Sequence, residues 1–279
     1  MALEFVKLHG LGNDFVVIDR RASGGPVSVA GAVALCDRHR GIGADGVLSV
    51  VKSPDAAIGM HVTNADGSIA EMCGNGLRCV VRYAVDRGLL PASGGAVDTG
   101  RGVLACSVEA DGEIRVDMGA PILEPDLVPT SLSGARVVDV PLTVSGVALK
   151  VTAVSMGNPH AIHFVEGGEA LEQLARSVGP GVEHHPAFPR RTNAEFARLV
   201  GPAEIDLVVW ERGVGITQAC GTGACATAVA AALSGRIPAG REVAINLPGG
   251  RLRVLVEPDL SRVWMTGPAV EVFRGTWDR

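Results

Sequence analysis

Two four-residue stretches, Cys73-Gly74-Asn75-Gly76 and Cys220-Gly221-Thr222-Gly223, each open an apolar run, and their reading decides the fold of this 279-residue chain. The first run, residues 77–87, is apolar except at Arg78, Arg82, Asp86 and Arg87. Its charges therefore fall at four-residue spacing on one stripe of a helix, with Gly88 as the stop. The second run, residues 224–233, carries no charge and is mostly alanine. That composition suits a helix buried on every side, ended by Gly235 and Pro238. Each cysteine thus precedes a helix start, beside glycines that let backbone N–H groups approach a ligand. A thiol ionises most easily in such a place, so two activated cysteines are expected.

Composition narrows the class of function. The chain is roughly twice the common domain size, so two domains are expected. A hydrophobic share of 47% with 20% charged residues describes a compact globular protein. The net charge is −5 and Lys and Arg are scattered, which leaves no electrostatic footprint for nucleic acid and favours a small-molecule partner. Glu4 and Lys7 interrupt residues 1–10 where a signal peptide needs an unbroken apolar segment, so a cytoplasmic protein is expected. Residues 213–235 are uncharged over a span that could cross a bilayer by length, yet Gly, Thr, Ser and Gln break them up, so a buried helix and no membrane partner are expected. Cysteines 36, 73, 79, 106, 220 and 225 should be reduced thiols.

Along the chain, residues 4–19 read as two strands about a turn that presents Asn13. Ser28 is a candidate cap for a helix over residues 28–37, and residues 47–51 and 59–63 read as strands. Gly41-x-Gly43-x-x-Gly46 matches a dinucleotide-binding string but fails on context, because a helix precedes it and a strand follows. Asn64-Ala65-Asp66-Gly67 is a turn before the first cysteine. Further strands are expected at 97–106 and 113–118, over much of 137–164, and at 203–210, 243–245, 251–256, 263–265 and 270–273. A short helix is expected at 169–178, and residues 188–193 read as a loop. Proline and glycine enrichment places a domain boundary near residue 119.

The halves echo one another. Gly12-Asn13 and Gly157-Asn158 both lie in turns between apolar strands, and the cysteines follow 60 residues after Asn13 and 62 after Asn158. Asn64 and Glu211 each stand nine residues before their cysteine. A period of about 146 residues implies a duplication, and two like domains about a pseudo-two-fold axis would bring both cysteine helix ends to one cleft. Two opposed thiols suit stereoinversion at a carbon bearing an acidic hydrogen: one removes it as thiolate, the other donates as thiol to the opposite face. Helix-end N–H groups can hold a carboxylate as charge develops on it, so neither cofactor nor metal is required.

Several motifs recur together along nearly the whole chain: Gly-Asn-Asp-Phe at 12–15, Asn-Ala-Asp-Gly at 64–67, Cys-Gly-Asn-Gly-Leu-Arg-Cys at 73–79, Met-Gly-Asn-Pro-His at 156–160, Asn193, Glu211-Arg212-Gly213, and Ala-Cys-Gly-Thr-Gly at 219–223. In these the chain closely resembles the diaminopimelate epimerase family of cofactor-independent amino-acid epimerases. The resemblance implies an α+β fold of two pseudo-symmetric α/β domains, each a mixed sheet wrapped around a central helix and often found in a homodimer. The halves would be 1–118 with a return strand at 266–279, and 119–265. It implies interconversion of L,L- and meso-diaminopimelate with Cys73 and Cys220 as the two bases. Gly74, Asn75, Gly221 and Thr222 would hold the reacting carboxylate, and Asn13, Asn64, Asn158, Asn193, Glu211 and Arg212 would recognise the substrate's amino and carboxylate groups. His160 and Glu211 would assist the thiols. One departure is Ile216, where the family commonly has glutamate; Gly46, at a variable position, offers no side chain.

Blander readings stand beside these. Cys36, Cys79, Cys106 and Cys225 read as buried packing residues, His184-His185 as a solvated pair, and each asparagine as a turn former. A structural zinc module is the non-enzyme alternative, but Cys73/Cys79 and Cys220/Cys225 lack the spacing of common zinc knuckles, and no Cys-x-x-Cys supports redox chemistry. Among enzymes, the alternative is two-thiol racemisation or epimerisation of proline, hydroxyproline or histidine.

Overall fold

The computed structural model describes residues 2–278; Met1 and Arg279, the outer ends of the expected first half, lie outside the described residues. The chain divides into two units, one running to Asp117 and resuming at Thr266, the other Met118–Met265. The break falls one residue before the expected 118/119, because Met118 is buried and its N–H donates to Val263 O within the second unit.

The first unit contains β1 (Leu3–Gly10), β2 (Asn13–Asp19), α1 (Val29–Cys36), β3 (Gly46–Val51), β4 (Ile58–Asn64), β5 (Ile69–Ala70), α2 (Gly74–Asp86), β6 (Gly94–Thr99), β7 (Gly102–Val108) and β8 (Ile114–Asp117). The second contains β9 (Val140–Val144), β10 (Val147–Ser155), β11 (Pro159–Phe164), α3 (Leu171–Glu183), β12 (Asn193–Gly201), β13 (Glu204–Glu211), β14 (Gly215–Ile216), α4 (Gly221–Leu233), β15 (Glu242–Leu247) and β16 (Gly250–Val256). Along β17 (Val263–Gly267) the chain leaves the second unit, and β18 (Val270–Trp277) pairs antiparallel with β1.

The duplication is written in the hydrogen bonds. β1 and β2 pair antiparallel, β2 and β3 parallel, β3 and β4 antiparallel, and β4 and β6 parallel. In the second unit β10 and β11, β11 and β12, β12 and β13, and β13 and β15 repeat those senses in the same order. Even the outer strands correspond, since β18 flanks β1 as β9 flanks β10. The fold is α+β, each unit having mixed strand pairing and two helices.

One helix lies at the centre of each unit. α2 packs against β1, β2, β6 and β8, and α4 against β10, β11, β12 and β16, with ten of thirteen residues buried in each. Alanine-rich α4 combines high helix propensity with side chains small enough for strands to approach closely. In α2, Leu77, Val80 and Val81 are fully buried, each such side chain stabilising the fold by about 1.5–3 kcal/mol. Both helices start three residues before the expected runs, so the Cys-Gly-x-Gly stretches form the caps and first turns.

Four sequence expectations differ from the structure. Arg78 does not begin a solvent-facing charged stripe: it is fully buried, and its guanidinium donates to Pro268 O, Gly74 O and Asn75 Oδ1. Residues 97–106 are not one strand but the hairpin of β6 and β7, turned at Gly100-Arg101. β12 begins at Asn193 in a stretch that reads as no element, because Glu195 and Arg198 interrupt its apolar residues. α3 continues past residue 178 through Gly179-Pro180-Gly181 to Glu183, since the strands beneath it reward the added turn with buried Val182. Gly179 lies against the Trp210 indole, where an added Cβ would come within 2.7 Å of Cγ. Gly179→Ala is therefore expected to cost about 1–3 kcal/mol by overpacking, read as a lower thermal midpoint; an unchanged midpoint would refute the close approach.

Candidate active site

Cys73 and Cys220 are the N-cap residues of α2 and α4. Both have extended backbone, and each sulfur accepts the N–H of the residue three positions on: Gly76 N to Cys73 Sγ at 3.4 Å and Gly223 N to Cys220 Sγ at 3.3 Å. A cap usually supplies a hydroxyl or carboxylate oxygen to this N–H. Here sulfur takes the role, which fixes each thiol at the positive end of a helix.

In the first unit a chain of polar contacts holds the surroundings of Cys73. Asn13 Oδ1 lies 3.9 Å from Cys73 Sγ and accepts from Asn75 Nδ2 at 3.2 Å. Asn13 Nδ2 donates to Asp45 Oδ2 at 2.7 Å, so its amide has one orientation. Asp45 also accepts from the backbone N–H of Asp14, and Arg38 bonds both carboxylates at 2.8 Å. Buried Lys7 completes the network by pairing with Asp14 and donating to Gly43 O. Burial opposes ionisation of Asp14, but the bonds from Arg38 and Lys7 outweigh it and lower its pKa to about 2. Asn64 ends β4, and its Nδ2 donates to Ser68 Oγ across the following turn at 2.9 Å.

The second unit builds a different environment. Cys220 Sγ lies 3.5 Å from Thr222 Oγ1, which accepts from Asn158 Nδ2 at 3.3 Å. Asn158 Oδ1 meets His160 Nε2 at 3.0 Å, and His160 Nδ1 meets Glu195 Oε1 at 2.6 Å. Glu211 Oε1 accepts from the Thr217 hydroxyl. Asn193 Nδ2 donates to Pro159 O and its Oδ1 accepts from Arg212 N, so it fixes the backbone that carries exposed Arg212. Glu183 braces the same turn by accepting from Trp210 Nε1 and Gly213 N. Ile216 packs as a partly buried residue against the core of this unit.

The electrostatics correct one sequence expectation. Although Cys220 caps a helix, burial raises its pKa well above the ordinary thiol value, and the charges of Glu211 and Glu195 push the same way. Burial also raises Glu195 and Glu211. Among the other thiols, burial pushes Cys36 up to about 11 and Cys79 and Cys106 up to about 12, as packing cysteines should behave. His184 is exposed, while His160 is fully enclosed.

In each unit, then, the motif residues gather beside one cysteine: Asn13 and Asn75 around Cys73, and Thr222, Asn158 and His160 around Cys220. Sequence reasoning missed Asp45, Arg78, Glu183 and Glu195. The one signal for Glu195 was a lone carboxylate between Ala194 and Phe196.

The profile described as Diaminopimelate epimerase matches residues 5–124 and 152–272. A diaminopimelate epimerase of Synechococcus sp. (strain JA-3-3Ab) is 50% identical over 281 residues, covering 98% of both chains. The chain belongs to the diaminopimelate epimerase family. It is an isomerase of the epimerase class. A diaminopimelate epimerase of Moorella thermoacetica is 47% identical over 98% of both chains. Among solved structures, a probable proline racemase from Agrobacterium radiobacter K84 is 15% identical with a TM-score of 0.71, covering 98% of this chain and 92% of its own. That likeness concerns the fold alone.

Because the folded-state pKa of Asp14 is depressed, its ionised form contributes stability above its ordinary 3.8, and the contribution is lost as pH falls through about 2. Asp14→Asn is expected to lower the thermal midpoint near neutral pH and to lower it progressively less as pH drops towards 2. A penalty constant over that range would refute the Lys7–Asp14–Arg38 linkage.

Proposed function

We propose that this chain interconverts L,L- and meso-diaminopimelate, with Cys73 and Cys220 as the two acid/base groups acting on opposite faces of one α-carbon. The observation that carries the assignment is the paired N-cap geometry: among the described residues, these two of the six free cysteines cap helices and the other four do not. Burial and two neighbouring glutamates favour the thiol form of Cys220, so it is the resting proton donor. Two-base chemistry then requires Cys73 to start as the thiolate. After proton removal the carbon's charge spreads into its carboxylate. The first N–H groups of a helix lack intrahelical acceptors, and Gly74, Asn75, Gly221 and Thr222 occupy those positions to receive that charge. Asn13, Asn64, Asn158, Asn193, Glu211 and Arg212 recognise the remaining amino and carboxylate groups, Arg212 through its planar fork. His160 and Glu211 assist the thiols.

The substrate is a small molecule. Chemistry that depends on reduced thiols suits the cytoplasm, where cysteines stay reduced. No helix among the described residues is long and apolar enough to cross a membrane. In this reading the working enzyme is a homodimer, as the family resemblance implies.

Incubation with L,L-diaminopimelate in heavy water is expected to give meso product carrying deuterium at the inverted α-carbon. Unlabelled product, or no turnover by reduced enzyme, would sink the reading. Cys73→Ala and Cys220→Ala should each lower kcat by about 10²–10⁴-fold. A near-normal rate in either variant would remove that cysteine from the mechanism.

A further inference from the structure

Each turnover in which Cys220 donates its proton leaves a thiolate in a site enclosed by protein and facing Glu195 and Glu211. Such a thiolate is costly unless donors are already aimed at it. Gly223 N–H is one donor. The second depends on which way a chain of hydrogen bonds runs.

That chain is Glu195 Oε1, His160 Nδ1 and Nε2, Asn158 Oδ1 and Nδ2, Thr222 Oγ1, Cys220 Sγ, with successive separations of 2.6, 3.0, 3.3 and 3.5 Å. Its direction is set at His160. If Nε2 carries hydrogen, it donates to Asn158 Oδ1. The Asn158 amide nitrogen then donates to Thr222, and the threonine hydroxyl hydrogen is left to donate to Cys220 Sγ. If Nε2 is bare, Asn158 must turn over, Thr222 donates back to it, and only a lone pair faces the sulfur. The first direction receives a thiolate; the second demands a thiol.

We propose that Glu195 is the positioning residue that fixes this direction, holding hydrogen on His160 Nε2 so that the Thr222 hydroxyl is always aimed at Cys220. Both side chains are fully buried, so neither exchanges its partner for solvent. Glu195 Oε2 has no hydrogen-bond partner among the described residues, which disfavours a full carboxylate charge and favours one proton shared between Oε1 and Nδ1. A Glu195–His160 pair with no net charge holds two protons, and with Nδ1 occupied by the shared one the other sits on Nε2. Glu195 and Cys220 also bear on one spot: a Cβ added at Gly223 would lie 3.0 Å from Glu195 Oε1 and 3.2 Å from Cys220 Sγ. The titratable groups facing the pair are Glu211 on β13 and Cys220 at the α4 cap.

This proposal rests on Cys220 being one of the two acid/base groups, and its test separates the two ideas. The His160 ring ¹⁵N–¹H signals, assigned with His160→Gln, are recorded for wild type, Glu195→Gln and Glu195→Met, alongside kcat, KM and thermal midpoint. Wild type is expected to show hydrogen on Nε2 throughout the neutral range. Glu195→Met, similar in size but unable to hold Nδ1, should lose that preference and lower kcat about tenfold or more with little change in KM. Glu195→Gln can hold Nδ1 through its amide, so it should restore both the Nε2 signal and most of kcat in a fold as stable as wild type. Retention of the Nε2 hydrogen in Glu195→Met overturns the proposal, whatever happens to kcat. So does an altered ring signal with unchanged kcat. If wild type does not turn over diaminopimelate, the function proposed above fails, and the ring spectra alone decide whether Glu195 sets the His160 proton.

Discussion

The constraint on which the structure depends is that two helices begin on a sulfur. A helix N-terminus leaves several N–H groups without partners, and enclosing it is tolerable only if they find acceptors. Here Cys73 and Cys220 accept one N–H each, and each helix runs on into its unit with ten of thirteen residues buried. The cap thus anchors the more buried helix of each unit and fixes a thiol at its start. A hydroxyl in its place could serve as a cap but would offer no group that ionises near neutral pH.

Around this shared device the units diverge. Asn64 ends β4 where Glu211 ends β13, and the parallel registers that pair Phe15 with Gly46 and His160 with Asn193 make Gly46 the counterpart of Asn193. Arg78 and Cys225, each five residues after its cap, place a buried cation in one helix and a small apolar thiol in the other. Near Cys73 the charged network is Lys7, Asp14, Arg38 and Asp45, with Arg78 buried in α2; near Cys220 stand the buried carboxyl groups of Glu195 and Glu211, both with raised pKa. A duplicated scaffold therefore surrounds its two cap cysteines with two different polar environments, the asymmetry that the base and acid roles proposed above for Cys73 and Cys220 call for.

Much of this was legible in the sequence because the informative residues cluster. Cys-Gly-x-Gly before an apolar run carries a helix start and its cap in four residues, and its recurrence exposed the duplication. The misreadings came where local pattern and tertiary setting disagree. Arg78 looked like a surface residue because arginine on a helix usually is, yet carbonyl and amide oxygens surround it. Gly179-Pro180-Gly181 lies beyond the expected helix end at 178, but packing on Trp210 outweighs its poor helix propensity. Glu195 and Asp45 escaped notice because a residue acting through a neighbour leaves no motif beside the one it serves. The ordinary state of Cys220 was misjudged for the same reason: its helix was visible in the sequence, and the glutamates that oppose ionisation lie in other strands.

The pairing of β18 with β1 carries a consequence for how the chain acquires its shape. The second unit is continuous in sequence, so every strand it needs has been made by residue 265. The first unit, although its residues are made first, leaves the edge of β1 open until residues 270–277 arrive. An open strand edge is a template for wrong partners. During synthesis, the half that starts the chain is therefore the last to be sealed, and a truncation removing only those final residues would cripple the beginning of the protein rather than its end.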